Sequence, residues 1–308
     1  MNKTLGKVII AGGSGFLGQA LSTSLLEEGY EVVILGRLEK PGQNGRFVQW
    51  DAKSLGAWVD ELENALAVFN LTGRSVDCRY TKENKSLILN SRVDSTKALG
   101  EAIRSRENPP SVWLNASTAT IYNDRRGDLP AHDEHSEGNA VGFSEEVGRA
   151  WEKAFFDAPV EHVRKIAMRI SIVLGKGGGA FPVMRRLTKL GLGGKQGPGT
   201  QWISWLHIDD WVGIAKFLMK NSLIFGPVNL AAPNPVTNRE FMRVLRDSFA
   251  PMKIGLPAPT MLMYLGAVLL GTEAELVLKS RKVISRVLSE NDFQFRFSKI
   301  DAAIRSME

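Results

Sequence analysis

The sequence predicts an α/β protein: a doubly wound parallel sheet with a smaller, mixed C-terminal substrate lobe. Three observations predict it. Short β-branched apolar runs alternate with helical patterns through the first half; a glycine-rich turn joins the first run to the first helix; and after Gly175 glycine-punctuated short elements replace that alternation.

The elements follow in order. Lys7-Val-Ile-Ile-Ala11 is apolar at successive positions, as a strand covered by helices on both faces must be, and Phe16 to Glu28 carries helical spacing. Glu31 to Leu35, Arg46 to Trp50 and Ala67 to Leu71 read as the second to fourth strands. A long helix from about Lys82 to Arg106 is stopped by Pro109-Pro110, and Ser111 to Asn115 is the next strand. Gly177-Gly-Gly179, Gly191-Leu-Gly-Gly194 and Gly197-Pro-Gly199 then break the chain into the short pieces of a second lobe, built across the carboxyl edge of the sheet where such folds bind ligands. The tail from about Leu256 reads as helical and ends with Ser298 to Met307. Its apolar stretch Met261 to Leu270 falls short of the ~18 residues of a membrane span and is expected to be a buried or interface helix. The expected division is a sheet domain over 1–170, completed by residues from about 200–235, an interleaved lobe over 171–255, and a helical segment over 256–308.

Composition narrows the function classes. Of 308 residues, 44% are hydrophobic and 23% charged, which excludes disorder as the main state. The net charge of +6 is scattered, so it favours anionic small ligands; there is no basic stripe with interleaved aromatics, and no nucleic-acid partner is expected. Cys78 is the single cysteine and cannot form an internal disulfide. With no signal-peptide pattern and no membrane span, the expectation is a cytoplasmic monomer or homodimer.

Gly12-Gly-Ser-Gly15-Phe-Leu-Gly18 follows the first strand and opens the first helix with the spacing G-x-x-G-x-x-G. Glycines there let the backbone turn and approach a pyrophosphate, while the helix N-terminus offers free N–H groups and a positive dipole. The end of the second strand distinguishes the dinucleotide. A carboxylate there would accept hydrogen bonds from the ribose 2′-OH of NAD, but this chain has Gly36-Arg37, and a guanidinium suits a 2′-phosphate. NADP(H) is the expected cofactor.

With these residues the chain resembles the extended short-chain dehydrogenase/reductase superfamily, and more narrowly its atypical branch of epimerase family proteins with an added C-terminal segment of the DUF1731 type. The resemblance spans nearly the whole chain: Gly12 to Gly18, Asn70-Leu-Thr-Gly73, Asn90-Ser-Arg92, the specific run from Gly191 to Asp210, Gly226 to Pro233, and Leu256 through Leu288. It implies a Rossmann-type fold that binds NADP(H), with a lobe in which related enzymes hold nucleotide sugars or other carbonyl substrates. It further implies that Gly12, Gly15, Phe16, Leu17 and Gly18 form the pyrophosphate loop and that Gly36 and Arg37 meet the adenosine ribose. Leu71, Thr72 and Gly73 would line the adenosine side, and Arg92 would reach the cofactor or an anionic substrate.

Working members of the superfamily use a tyrosine and a lysine four residues later on one helix face, with a Ser or Thr from the preceding strand. The tyrosine transfers the proton and the lysine lowers its pKa from ~10. Ser117-Thr118-Ala-Thr-Ile-Tyr122 resembles the strand-end motif, with Thr118 at the hydroxyl position. The match places Phe143 at the tyrosine position and Val147 at the lysine position, so the ordinary mechanism cannot run unchanged. Three readings stay open: an NADP(H)-dependent oxidoreductase or epimerase-like enzyme, with Tyr122 as the best substitute donor and Glu145, Glu146 or Asp124 as others; a non-catalytic NADP(H)-binding redox sensor or scaffold; and an interaction protein, for which no sequence feature speaks.

Other residues have structural expectations. His132-Asp-Glu-His135 offers no third ligand at a familiar spacing, so no metal is expected. Asp209 or Asp210 is expected to cap the helix it opens, His207 to be a hydrogen-bonded structural residue, and Arg169 to orient the entry to the lobe. Of Trp202, Trp205 and Trp211, two are expected in the core.

Overall fold

The computed structural model describes residues 4–271 and 273–308. In chain order the sheet domain is built from β1 (Lys7–Ala11), α1 (Phe16–Glu27), β2 (Glu31–Gly36), β3 (Arg46–Gln49), β4 (Ala65–Asn70), α2 (Lys82–Arg104), β5 (Val112–Thr118), α3 (Phe143–Phe156) and β6 (Arg164–Ile170). The chain continues through β7 (Ile172–Leu174), α4 (Phe181–Lys189), β8 (Trp202–Ile203), β9 (Trp205–His207), α5 (Ile208–Lys220), β10 (Gly226–Leu230), β11 (Val236–Thr237) and α6 (Asn238–Phe249), of which α5 and β10 join the sheet domain and the others build the lobe. The tail contributes α7 (Thr260–Leu270), α8 (Glu275–Leu278), α9 (Arg286–Glu290) and α10 (Ile300–Arg305).

Seven strands form one sheet in the order β10-β6-β5-β4-β1-β2-β3, and every pairing in it is parallel. Because side chains alternate along a strand, the apolar runs feed two cores at once. Val8, Ile10, Phe69, Leu114 and Met168 face α1 and α5. Ile9, Val33, Val68 and Trp113 face α2 and α3, with Phe155 edge-on to Trp113 at 4.7 Å. The strand order reverses between β1 and β4, the point at which open sheets of this kind leave a crevice at the carboxyl ends of their strands.

The chain returns from the lobe to complete this sheet: β10 pairs with β6, Val228 opposite Met168. In the lobe, β7 pairs with β9, and β8 with β11. Leu174, Phe181, Trp205, Phe241 and Leu245 pack there against Ile300 and Ile304 of α10. Trp205 and Trp211 are fully buried, so two of the three tryptophans are core residues. Trp202 is half-buried, with Lys282 Nζ 4.2 Å above its ring.

Two local expectations change. The helix α5 is capped by His207, whose Nδ1 accepts from the Asp209 N–H at 3.1 Å, and not by a carboxylate. Asp210 turns away to accept from the Arg296 and Phe297 N–H groups at 2.7 and 3.0 Å, tying α5 to the tail. Of the two expectations for the apolar helix α7, buried or at an interface, burial within the chain is the one that fails: Met261, Tyr264 and Leu265 are 84%, 59% and 55% exposed.

The tail is stitched to the sheet domain through the polar loop before α3. Glu134 accepts from the Asn229 N–H of β10 at 2.8 Å, from Ser285 Oγ at 2.7 Å and from the Arg286 N–H at 2.8 Å. His132 exchanges backbone hydrogen bonds with Lys282 and Ile284, and its ring lies flat on Tyr122 at 5.0 Å, with Nε2 accepting from Arg125 Nε at 2.9 Å.

Two outcomes are expected. Glu134→Ala frees two donors of buried residues, the Asn229 N–H and Ser285 Oγ, together with the N–H of the exposed Arg286, and should lower stability by roughly 2–4 kcal/mol, read as the urea midpoint at constant slope. Burial first, and then the Arg125 cation, depresses the His132 pKa; burial also depresses that of His207. The folded chain therefore resists protons that the unfolded chain takes up near pH ~6.5, so this stability is present above that pH and lost toward acid. The urea midpoint should fall between pH 7.5 and 5.5, and less so in His132→Gln.

Candidate functional site

The crevice is floored by backbone. Gly12 has φ +74°, and a Cβ there would stand 2.9 Å from the Leu71 carbonyl and the Thr72 nitrogen; at Gly18 it would meet Gly13 Cα at 2.5 Å. Only hydrogen allows the turn, the β4 loop and the first helical turn to lie this close together. No side chain caps α1, so its first amides are left for a ligand to satisfy. Gly12, Gly15, Phe16, Leu17 and Gly18 thus form one cradle. The Phe16 ring packs against Gly175 and Gly178 of the lobe.

The β4 loop is held by a buried amide. Asn70 donates from Nδ2 to Asn115 Oδ1 at 2.7 Å and to Thr96 Oγ1 at 3.1 Å, and its Oδ1 accepts from the Thr72 N–H at 3.1 Å. Leu71, Thr72 and Gly73 are thereby fixed beside the cradle, and the Thr72 hydroxyl is buried without a partner among the described residues. At the end of β2, Gly36 leads to Arg37, which is exposed and engaged by no hydrogen bond or ion pair among the described residues. Lys40 folds back from the same loop to donate to the Ser14 carbonyl at 3.0 Å. An open cavity of about 790 Å³ continues behind the cradle, past Gly15, Lys40, Lys176, Asp209 and Arg296.

Arg92, on α2, sits under Gly73 with its guanidinium 5.1 Å from the Trp151 ring, donating from Nη1 to the Arg74 and Ile88 carbonyls at 3.0 and 2.9 Å. Burial pulls its pKa down to about 10.

Thr118 ends β5 and is half-buried, its hydroxyl accepting from the Thr120 N–H at 3.1 Å. The first helical residue of α3 is Phe143, and Val147 lies one turn further on. Gly148 brings that helix against Thr118, where a Cβ would stand 3.0 Å from the threonine methyl.

Tyr122 is placed differently from its expected role. It is fully buried; its hydroxyl accepts from Arg169 Nη1 at 2.7 Å and donates to Asn229 Oδ1 at 2.9 Å. Burial raises its pKa against the pull of Arg169. Arg169 in turn donates from Nε and Nη2 to the two oxygens of Glu152, both at 2.8 Å, and Ser117 Oγ donates to Glu152 at 2.6 Å. This closed network joins β5, α3, β6 and β10, and a hydroxyl with both its bonds satisfied inside the core has no route to a substrate. The reason lies in Arg169, a buried cation that needs every acceptor within reach.

The carboxylates sort likewise. Glu145 is buried, with Oε1 held by Lys279 Nζ at 2.7 Å and Arg281 Nη2 at 3.1 Å. Asp124 pairs with Arg126 and Arg281, and Glu146 is exposed. The residue sequence reasoning missed is Tyr80. It lies in the loop before α2, its ring edge-on to Phe143 with centroids 5.0 Å apart. A scan of the four tyrosines for one near the helix that lacks its own could have found it.

Comparison with known proteins fits this geometry. The model of the NAD dependent epimerase/dehydratase family matches residues 8–231, and a domain of unknown function, DUF1731, matches residues 258–307. The human epimerase family protein SDR39U1 is 30% identical over 305 residues, covering 98% of this chain and 99% of that protein. Its crystal structure with NADPH superposes with a TM-score of 0.83 over 98% of each chain, at 29% identity. A nucleoside-diphosphate sugar epimerase from Corynebacterium glutamicum is similar at 32% identity and a TM-score of 0.77, this chain covering 58% of that longer one and 98% of itself being matched. With its reversed strand order, its glycine cradle and a family match that runs from β1 to the end of β10, the chain belongs to the NAD dependent epimerase/dehydratase family and carries the DUF1731 segment at its C-terminus.

Proposed function

We propose that the chain is an NADP(H)-dependent oxidoreductase or epimerase-like enzyme acting on a small carbonyl compound, of which nucleotide sugars are the favoured class. The observation that carries the cofactor choice is Arg37: a guanidinium without a partner among the described residues at the end of β2, where a carboxylate would serve the unphosphorylated ribose. The human relative crystallised with NADPH and the relative named as a nucleoside-diphosphate sugar epimerase support the two halves of the reading.

In this reading the amides of Gly12, Gly15, Phe16, Leu17 and Gly18 hold the pyrophosphate, Gly36 and Arg37 the phosphorylated ribose, and Leu71, Thr72 and Gly73 the adjoining wall. Arg92 faces the cofactor or an anionic group of the substrate from beneath Gly73. The nicotinamide supplies hydride chemistry when bound. Thr118, at the end of β5, positions the carbonyl oxygen by hydrogen bonding. Phe143 and Val147 offer neither proton nor cation, so α3 acts as an apolar wall. Tyr122 serves as a positioning residue that fixes Arg169 and Asn229. A second reading, a non-catalytic NADP(H)-binding sensor, is favoured by that same absence of a Tyr–Lys pair on α3.

Arg37→Ala should weaken NADPH binding by about 10- to 100-fold, the worth of one charge-assisted hydrogen-bonded contact, and leave NADH binding unchanged; calorimetry with both dinucleotides checks it. Tyr122→Phe should cost roughly 1–3 kcal/mol of stability, because Arg169 and Asn229 lose a buried partner, with NADPH affinity unaltered. Loss of NADPH consumption without loss of stability would instead return Tyr122 to the proton-transfer role.

A further inference from the structure

The phenol that α3 lacks stands beside it on another segment. Of the four tyrosines, Tyr30 lies 5.8 Å from Lys220 Nζ on the far side of α1, Tyr264 is exposed on α7, and Tyr122 is sealed in the core. Tyr80 remains. It directly precedes Thr81, the N-cap of α2, and its backbone N–H is anchored by Glu273 Oε1 at 2.7 Å. Its ring packs edge-on to Phe143 at an interplanar angle of 71°. Its hydroxyl oxygen is buried, close to Ser144, yet makes no hydrogen bond among the described residues. A buried hydroxyl with no partner is a cost to the fold unless a bound molecule takes the bond.

Lys85 Nζ stands 5.2 Å from the centroid of the same Phe143 ring. Burial raises the pKa of the phenol, Ser144 draws it the other way, and Glu275, Cys78 and Glu273 add to the rise. The phenol is therefore protonated at neutral pH, as a proton donor must be.

We propose that Tyr80 is the proton donor of this site, delivering from beside the Phe143 ring the proton that a tyrosine on α3 would have delivered. The inference rests on the reading of the chain as an NADP(H)-dependent reductase. In the reducing direction the substrate carbon gains hydride from the reduced nicotinamide, the carbonyl π bond breaks, and its oxygen takes the proton as the Tyr80 O–H bond breaks. Water returns a proton to the phenolate. One hydride and one proton are consumed, and the alcohol and oxidised dinucleotide result.

The test uses the full chain with NADPH and 4-nitrobenzaldehyde as the carbonyl probe. Tyr80→Phe should lower single-turnover NADPH oxidation by about a hundred- to ten-thousand-fold while NADPH affinity holds. Its urea midpoint should stay level or rise, since the atom removed has no partner; a structural hydroxyl would show a fall. A readout without substrate comes from alkaline titration of tyrosine absorbance: the transition missing in Tyr80→Phe should lie above the ordinary tyrosine range near pH ~10. Retention of the wild-type rate in Tyr80→Phe overturns the donor role alone, as does a fall in its urea midpoint. A wild-type protein that binds NADPH but never oxidises it overturns the reductase reading, and the donor role with it.

Discussion

A charged pair shut inside the molecule, Arg169 with Glu152, holds the reactive edge of the sheet together. Through it β6 is bound to α3, through Ser117 the pair reaches β5, and through Tyr122 and Asn229 it reaches β10. Ions taken out of water are tolerated only where each lone pair and each N–H finds a partner. Removing either member would leave the other uncompensated, at a cost of about 3–5 kcal/mol. The strand ends, the start of α3 and the entry to the lobe are fixed relative to one another because these bonds must all be made together.

The sheet was legible because its physics is local. Lys7–Ala11 is a strand in sequence and in structure, since a run apolar at every position has nowhere else to go once helices flank it. The glycine cradle was legible for the same reason: tight turns and close approaches tolerate little besides glycine. Residues whose surroundings come from far along the chain were not. Tyr122 looked available from its place after β5, and its fate is decided by Arg169, 47 positions on. Tyr80 looked like any loop aromatic, and gains meaning from Phe143. The exposure of α7 could not be read from its composition, which fits a core helix equally well.

A parallel ladder is indifferent to which side chain stands at the first turn of α3. Here a regular helix backed by an in-register parallel sheet presents Phe143 and Val147 at the positions where the superfamily resemblance expects a tyrosine and a lysine. Fold and chemistry are separable in this architecture: the strands place a crevice, and whichever neighbouring segments line it decide what it does.

The carboxylate of Glu145 belongs to the sheet domain, yet the cations that neutralise it, Lys279 and Arg281, come from the tail. Detaching the tail would strand a negative charge in an apolar setting, so the last fifty residues cannot melt away while the rest stays intact. Calorimetry on the whole polypeptide would accordingly register a single endotherm, the signature of one cooperative unit and not of a domain with an appendage.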